Sequence, residues 1–190
     1  REQRQVLIMA LMNVDVLIEN PDDAPSSWYL TGSPLERNIV QASAEHNILL
    51  PDIKETYNIV LAHPFNSKDK FSVARVRAPE EFHFHPEGAG LKDFLSIMGA
   101  PEILLERSKI SKDEFVRLSS IVQARAAEGK RLLGVAVKPT RKFAHGPGEY
   151  ENIDELLFLG IIAFYDPVRV EVPRAMARDE EFGVRTVMVT

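Results

Sequence analysis

The spacing of apolar residues changes several times along the chain, and each change predicts a different element. Near the N terminus apolar residues recur every three or four positions, which predicts a helix over residues 3–14. The buried stripe of this helix would contain Val6, Leu7, Ala10, Leu11 and Val14. Short apolar runs typical of strands follow at residues 58–63, 71–77, 94–98, 131–138, 156–165 and 184–189, with a weaker one at 82–85.

Two predicted helices begin with the same sequence pattern. Ser33 is followed three residues later by Glu36, and Ser111 by Glu114, which is the pattern of a capping box. The second of these helices should end at Gly129, the residue type that favours a left-handed C-terminal cap. We expect this second helix to bury Phe115, Leu118 and Val122.

The C-terminal part predicts a different arrangement from the rest. The run 156–165 is apolar on both faces, so we expect a central strand. A helix over 173–181 and a buried strand over 184–189 would follow, giving a strand–helix–strand unit that is cut short. The chain as a whole is therefore predicted to be α/β (α+β), with a mixed, mostly antiparallel sheet flanked by helices.

Composition narrows the possible functions. A hydrophobic fraction of 45% with 27% charged residues is typical of a folded globular chain. The net charge of -5 argues against nucleic acid as the main partner, and the absence of cysteine excludes disulfides and thiolate metal sites. No apolar run reaches the ~20 residues of a membrane-spanning helix, and no signal peptide is recognisable. Because the chain starts at Arg1 and stops within an apolar run, we expect it to be a piece of a longer protein.

The turn between the first two predicted strands carries candidate chemistry. Phe65 stands in a polar turn where no core residue is needed, so its ring could stack on a flat base. Lys70, at the start of the next strand, could place a positive charge near phosphates or a ribose. Two plainer interpretations stay open, namely that Phe65 is a hydrophobic plug of the turn and that Lys70 is a solvated lysine.

Other kinds of site find little support. His83 and His85 would point the same way from a strand, but Glu87 is the only further ligand nearby, so we expect no metal site. Neither the nucleophile elbow of the α/β hydrolases nor a phosphate-binding glycine loop occurs in the sequence.

Four short segments occur in an order that resembles one protein family. They are Gly32-Ser-Pro-Leu-Glu36, Pro64-Phe-Asn-Ser-Lys-Asp-Lys70, Gly99-Ala-Pro-Glu102 and Asp166-Pro-Val-Arg169. Together they resemble the nucleotide-binding domain of P-type cation-transporting ATPases, running into the start of the phosphorylation domain. The resemblance assigns nucleotide binding to Glu36, Phe65, Lys70, Met98, Gly99, Ala100 and Arg131, and the hinge beside the phosphates to Asp166 and Arg169.

The resemblance implies a particular contact with the nucleotide for each of these residues. The aromatic ring at Phe65 would cover adenine, with Lys70 beside the nucleotide. The carboxylate of Glu36 would accept a hydrogen bond from the adenine amino group, although its place in a capping box explains it equally well. Arg131 would reach the phosphates, unless it is a surface arginine paired with Glu128 or Glu155.

One position departs from the family pattern. Met98 stands where the family has a lysine, so it could contact a purine through its sulfur but offers no charge to phosphate. Either another cation compensates, with Lys92 and Lys138 as candidates, or nucleotide binding is weaker. The small residues Gly99 and Ala100 would let the backbone approach the ligand.

The resemblance implies an ATP-binding cytoplasmic domain of an integral membrane pump. Residues 1–162 would form the nucleotide-binding domain, and residues 163–190 the hinge and a truncated HAD-like piece of the phosphorylation domain. Mg²⁺ would arrive with ATP, and the partners would be the phosphorylation and actuator domains. Neither the Asp-Lys-Thr-Gly-Thr segment nor the Gly-Asp-x-x-x-Asp segment of the family occurs here, so we expect this chain to bind ATP without hydrolysing it.

Two alternatives remain open at this stage. The chain could be a degenerate domain used for protein contacts, or a free-standing α/β phosphohydrolase. The transported ion cannot be inferred from these residues.

Overall fold

A computed structural model describes residues 2–82, 91–140 and 153–187 of the chain. The helices are α1 (Glu2–Leu11), α2 (Pro34–Glu45), α3 (Leu50–Thr56), α4 (Pro101–Glu106), α5 (Lys112–Ala127) and α6 (Val172–Glu181). The strands are β1 (Leu17–Ile18), β2 (Leu30–Thr31), β3 (Asn58–His63), β4 (Phe71–Phe82), β5 (Leu91–Gly99), β6 (Arg131–Pro139) and β7 (Leu157–Phe164).

The fold is built on a five-stranded antiparallel sheet. Its strands follow one another in chain order, β3-β4-β5-β6-β7, and every neighbouring pair runs antiparallel. The short strands β1 and β2 form a separate antiparallel pair. The predicted antiparallel sheet flanked by helices is confirmed, whereas the strand–helix–strand unit predicted after residue 156 is not completed within the described residues.

Helix α1 covers one face of the sheet and forms the larger core. Met9, Ala10 and Leu11 are completely buried, and they belong to one cluster with Phe94 and Val135 of the sheet. The predicted stripe is confirmed at Ala10 and Leu11, whereas Met9 was not part of it and the predicted Leu7 is only half-buried. Since α2 and α3 also contact α1, the first helix is the centre of this layer.

Helices α4 and α5 lie on the opposite face. Leu104 of α4 is completely buried in a second cluster with Phe71 and Ile97. The prediction that α5 buries Phe115, Leu118 and Val122 is wrong in degree, because these side chains are only half-buried. Helix α5 rests against α4 and β6 and leaves its outer side in solvent.

Both helix starts are confirmed, with a serine as the N-cap residue of each helix. The hydroxyl of Ser33 accepts a hydrogen bond from the backbone amide of Glu36 at 3.3 Å, and Ser111 does the same for Glu114 at 3.2 Å. Gly129 follows α5 with a φ of +75°, as a left-handed cap requires. Signals that act within one turn of helix were therefore sufficient to place these ends.

The prediction of a central strand over 156–165 is wrong. Strand β7 is the last strand of the sheet, and most of its side chains are only half-buried. It is apolar on both faces because α1 packs against one face and α4 contacts the other, although one long edge has no neighbouring strand within the described part of the chain.

The described residues 184–187 do not form the expected buried strand, and positions 188–189 of that prediction lie outside the described residues. Residues 184–187 have no regular structure, and Val184 and Val187 are 54% and 68% exposed. The predicted helix is confirmed as α6, but none of its residues is buried. A strand gains its stability from a neighbour, and the described residues offer none to this segment. Within the same ranges no helix combines the length and the hydropathy that a membrane span requires.

Candidate functional site

The chain topology brings one end of every main strand to the same edge of the sheet. Strands β3, β5 and β7 end at His63, Gly99 and Phe164, while β4 and β6 begin at Phe71 and Arg131. Because neighbours are antiparallel, these ends lie side by side, as the pairs Phe71–Gly99 and Arg131–Phe164 show. We call this edge the site edge. All the predicted site residues except Glu36 belong to strand ends or loops on it.

Three predicted residues are in direct contact at the site edge. The carbonyl oxygen of Lys70 accepts a hydrogen bond from the backbone amide of Ala100 at 2.9 Å. A Cβ placed on Gly99 would collide with that same carbonyl and would lie only 2.6 Å from Cα of Phe71. Close packing against the neighbouring strand therefore requires a glycine at position 99, whether or not a ligand also approaches it.

Phe65 and Lys70 stand at the two ends of one turn between β3 and β4. The side chain of Phe65 is 59% exposed, although a phenyl ring normally gains by burial. Lys70 is also exposed and adopts a left-handed backbone conformation with φ of +61°. The structure does not support the interpretation of Phe65 as a plug of the turn, because most of its surface faces solvent.

Met98 does not lie where its expected role would place it. Its side chain is only 6% exposed and belongs to the core beneath α1. It stands opposite Ser72 on one neighbouring strand and Val135 on the other. The expectation that its sulfur contacts a purine finds no support here, because Met98 shares the buried face of β5 with Phe94 and Ser96.

The two lysines considered as substitutes for the missing charge are at the wrong end of the sheet. Lys92 lies near the start of β5, while Gly99 ends that strand at the site edge. Lys138 lies near the end of β6, where its ammonium group donates to the carbonyl of Asp154 at 2.7 Å. Neither can stand in for a cation at the position of Met98.

Glu36 is held in its capping box but keeps a partly open carboxylate. The hydroxyl of Ser33 donates to Oε2 of Glu36 at 2.6 Å, and the amide of Asp15 donates to Oε1 at 3.2 Å. Two residues before Asp15, the side chain of Asn13 accepts from the hydroxyl of Ser72 at 3.3 Å. These bonds connect the start of α2 to the start of β4, close to Lys70.

Arg131 is exposed at the start of β6 and is not committed to an acidic partner. Within the described part of the chain it has no ion pair or side-chain hydrogen bond. Glu128, one of the two partners considered for it, instead contacts Lys130 at 2.6 Å and Arg125 at 3.0 Å. Hydrogen bonds from Lys130 and then Arg125 lower the pKa of Glu128, which is a fully exposed carboxyl group.

The hinge residues follow the last strand at the same edge. Asp166 and Arg169 are both exposed, and they lie in an irregular segment between β7 and α6. Sequence alone places them after β7, and the pairing of Arg131 with Phe164 places that strand end beside Arg131.

Sequence reasoning missed several polar residues that support the site. Asn66 makes four hydrogen bonds within its turn, and Asn13 joins α1 to β4 and β5 through Ser72 and Ser96. The signal for Asn66 was present, since an Asn followed by Ser and Asp is typical of a side-chain-stabilised turn. No local signal could have identified Asn13, whose partners are distant in sequence.

The described residues also form clefts away from the site edge. Two clefts, with volumes of about 550 Å³ and 510 Å³, lie elsewhere; one is beside Tyr57 and the other beside Trp28. In the ranges that the structure describes, no group of three or more acidic or histidine side chains could hold a metal ion. His83 and His85 are outside those ranges.

Comparison with known proteins gives a consistent answer. Residues 3–171 match a family model described as P-type ATPase, cytoplasmic domain N. The chain is 24% identical to a calcium-transporting ATPase of Bacillus subtilis (strain 168), over 99% of this chain and 21% of that protein. It is 28% identical to calcium-transporting ATPase 1 of Saccharomyces cerevisiae, over 94% of this chain and 19% of the relative.

A plant protein adds a further match. Calcium-transporting ATPase 9, plasma membrane-type, of Arabidopsis thaliana is 29% identical over 85% of this chain and 15% of its own length. The chain thus spans about a fifth or less of the length of these relatives.

Proposed function

Because the chain belongs to the family of P-type ATPase cytoplasmic N domains, we propose that it binds ATP at the site edge and presents it to a phosphorylation domain. In this proposal the chain is the ATP-holding part of a cation-transporting pump. Adenine would lie on the ring of Phe65, and Lys70 would stand beside the nucleotide.

The observation that carries the proposal is the exposed ring of Phe65 beside a closely packed backbone. Phe65 is 59% exposed in a turn that ends at Lys70, and the carbonyl of Lys70 accepts a hydrogen bond from the amide of Ala100. Stacking on an aromatic side chain contributes about 1–3 kcal/mol per base, which is enough for a useful contribution to affinity. The ring is already in solvent, so a base could cover it without a rearrangement of the core.

The order of the strands indicates how the nucleotide would be oriented along the site edge. Phe65 lies in the β3–β4 turn, and Arg131 begins β6 three strands away from β3. At ~4.8 Å per strand this separation is about 14 Å, a span comparable with an extended nucleoside triphosphate. We infer that adenine lies at the β3–β4 side and that the phosphates point towards Arg131 and the segment with Asp166 and Arg169.

Glu36 has a second role in this proposal. Its carboxylate already accepts hydrogen bonds from Ser33 and Asp15. An ionised carboxylate offers about four acceptor positions, so it can accept one more bond, from the adenine amino group. Met98 would contribute only through core packing, and Lys70 and Arg131 are the two cations that we assign to the nucleotide.

Residues 163–190 would act as the hinge and the beginning of a phosphorylation domain. Tyr165, Val168 and Val170 are 67%, 71% and 93% exposed, which is consistent with a segment that packs against something other than the sheet. Mg²⁺ would accompany ATP, since it binds phosphate oxygens and needs few protein ligands. We expect no hydrolysis by this chain alone.

The proposal is tested by titrating the chain with ATP in a calorimeter. We expect saturable binding that Phe65→Ala weakens by about 5- to 150-fold, as the loss of one stacking contact predicts. Phe182→Ala is the matched control, because Phe182 is also an exposed ring, at 78%, but follows α6. Equal affinities of the wild-type chain and the Phe65→Ala variant would contradict the proposal.

The alternatives give different results in the same experiment. A chain that binds no ATP at any accessible concentration would favour the degenerate interaction module, in line with the buried methionine at position 98. Continuous release of phosphate from Mg-ATP, abolished by a substitution in this chain, would favour the free-standing phosphohydrolase.

A further inference from the structure

One amide side chain joins the two ends of the turn between β3 and β4. Oδ1 of Asn66 accepts hydrogen bonds from the backbone amides of Lys68 at 3.0 Å and Asp69 at 2.8 Å. Its Nδ2 donates to the carboxylate of Asp69 at 2.7 Å and lies 3.2 Å from Nε2 of His63. The amide therefore connects the last residue of β3 to the residue that precedes Lys70.

The backbone of Asn66 also holds Lys70. Its carbonyl accepts a hydrogen bond from the amide of Lys70 at 2.9 Å, while the carbonyl of Lys70 is bonded to Ala100. Lys70 has a φ of +61°, a conformation that is unfavourable for a residue with a Cβ. The two backbone bonds offset this cost, and the Asn66 side chain keeps the first of them in place.

We propose that Asn66 is a positioning residue of the nucleotide site, a conclusion that rests on the proposed function. Phe65 directly precedes Asn66, and its ring is mostly in solvent, so the direction of the ring depends on the backbone of the turn. By fixing that backbone, Asn66 holds the ring of Phe65 and the ammonium group of Lys70 ready to meet one ligand. A loose turn would have to be ordered during binding, and this ordering would reduce affinity.

An asparagine suits this position better than its close relatives. The turn needs an acceptor for the two backbone amides and a donor for the carboxylate of Asp69. Aspartate would supply the acceptor but place two carboxylates against each other, and alanine would supply neither. Asn66→Asp and Asn66→Ala therefore remove different parts of the same network.

The test uses the full chain and ATP as the probe, with affinity measured by calorimetry. We expect Asn66→Ala and Asn66→Asp each to weaken ATP binding about tenfold, a loss of about 1.4 kcal/mol. Asp69→Ala, which removes the acceptor of the Asn66 amide, should weaken binding in the same direction. Ser67→Ala is the matched control, because Ser67 is exposed in the same turn and takes no part in these bonds.

Two further readouts separate positioning from a general loss of stability. Amide hydrogen exchange should become faster at Lys68 and Asp69 in Asn66→Ala, which removes their acceptor, while the sheet stays protected. In the Phe65→Ala background, Asn66→Ala should cause a smaller loss of affinity than in the wild type, because one of the two groups that it positions is already absent.

The outcomes distinguish this inference from the function on which it rests. If the wild-type chain binds no ATP, the proposed function fails, and the inference fails with it. If the wild-type chain binds ATP and the Asn66 variants bind as tightly as Ser67→Ala, only the inference is overturned. Fully additive losses from Asn66→Ala and Phe65→Ala would also overturn it. Should Asn66→Ala not fold, Asn66→Asp and Asp69→Ala give the same decision.

Discussion

The carbonyl oxygen of Lys70 is bonded to the backbone amide of Ala100 at 2.9 Å, and this bond ties the start of β4 to the end of β5. The last residue of β5 must be glycine, because a Cβ at Gly99 would collide with the Lys70 carbonyl and with Phe71. Neither strand can retreat easily, since Phe71 is itself buried in the core. The backbone of the candidate site is therefore determined by strand packing.

Gly99→Ala should lower both stability and ATP affinity. The added methyl group must displace backbone atoms, which typically costs about 1–3 kcal/mol of unfolding free energy and often more when backbone is involved. The same displacement would break the Lys70–Ala100 bond and move Lys70. Urea denaturation measures the first effect, and calorimetric ATP titration measures the second.

A second glycine provides the control for this prediction. A Cβ on Gly129 meets no atom within 4 Å, but its φ of +75° makes any side chain unfavourable by about 1–2 kcal/mol. Gly129→Ala should therefore destabilise the chain without changing ATP affinity. If Gly99→Ala binds ATP as tightly as the control variant, the link between the strand contact and the site is wrong.

Adenosine and ATP should separate the two halves of the candidate site. Removing Arg131 or Lys70 should weaken ATP binding by about 1.5–3 kcal/mol, the usual range for a hydrogen bond to a charged group, and leave adenosine binding unchanged. Phe65→Ala should weaken both ligands, because adenosine retains the base. Arg117→Ala, on the exposed side of α5, is the control.

Salt should give an independent check of the same division. Added salt screens charges at exposed positions, and both Lys70 and Arg131 are exposed. ATP affinity should therefore fall as the ionic strength rises, while adenosine affinity stays nearly constant. Equal sensitivity of both ligands to salt would show that these cations do not meet the phosphates.

Local sequence signals predicted the parts of the fold that depend on neighbours in the chain. The N-caps at Ser33 and Ser111, the β3–β4 hairpin and the end of α5 all depend on residues a few positions apart, and all are confirmed. Helices α3 and α4 were not predicted, because with 7 and 6 residues they are too short to show a periodic stripe.

The errors concern features that depend on distant parts of the chain. Whether β7 is a central or an edge strand depends on which strands lie beside it, and its apolar residues alone could not reveal this. Met98 was misplaced for a similar reason. Its match to the family lysine suggested a site residue, but alternation along β5 puts it on the same face as Phe94 and Ser96, beneath α1.

The stability of the chain should decline at high pH partly through Tyr57. Burial raises the pKa of the Tyr57 hydroxyl above its usual value of 10.0, and the nearby Arg4 guanidinium opposes this only in part. Between pH 10.0 and the raised pKa the folded chain holds a proton that the unfolded chain releases. The free energy of unfolding must therefore fall as pH rises through this window.

Tyr57→Phe tests this pH dependence, because phenylalanine cannot ionise. Denaturation curves of wild type and variant should run in parallel below pH 10 and diverge above it, with the variant losing less stability. An exposed tyrosine, Tyr29, supplies the control, since Tyr29→Phe should leave the high-pH slope as it is in the wild type. Identical slopes in all three proteins would show that burial of Tyr57 has no effect on folding at high pH.

Glu36→Gln should separate the two roles of this residue. The amide can still accept from Asp15 and interact with Ser33, so the cap survives, and the loss of charge at the helix start costs only about 0.3–1 kcal/mol. If Glu36 also accepts a hydrogen bond from the adenine amino group, the variant should bind ATP more weakly. It should also prefer ATP over inosine triphosphate, which lacks that amino group, less than the wild type does.

The chain contains an unusually close control for this substitution. Glu114 occupies the same position in the capping box of Ser111, but it begins α5 rather than α2. Glu114→Gln should therefore change the unfolding free energy by a similar amount and leave nucleotide preference as it is. Glu114 also pairs with Arg117 at 3.1 Å, so this exposed ion pair contributes to any difference in stability between the two variants. A difference in nucleotide preference must instead come from what lies in front of each carboxylate. An unchanged ATP preference in Glu36→Gln would show that Glu36 supports the start of α2 and does not contact adenine.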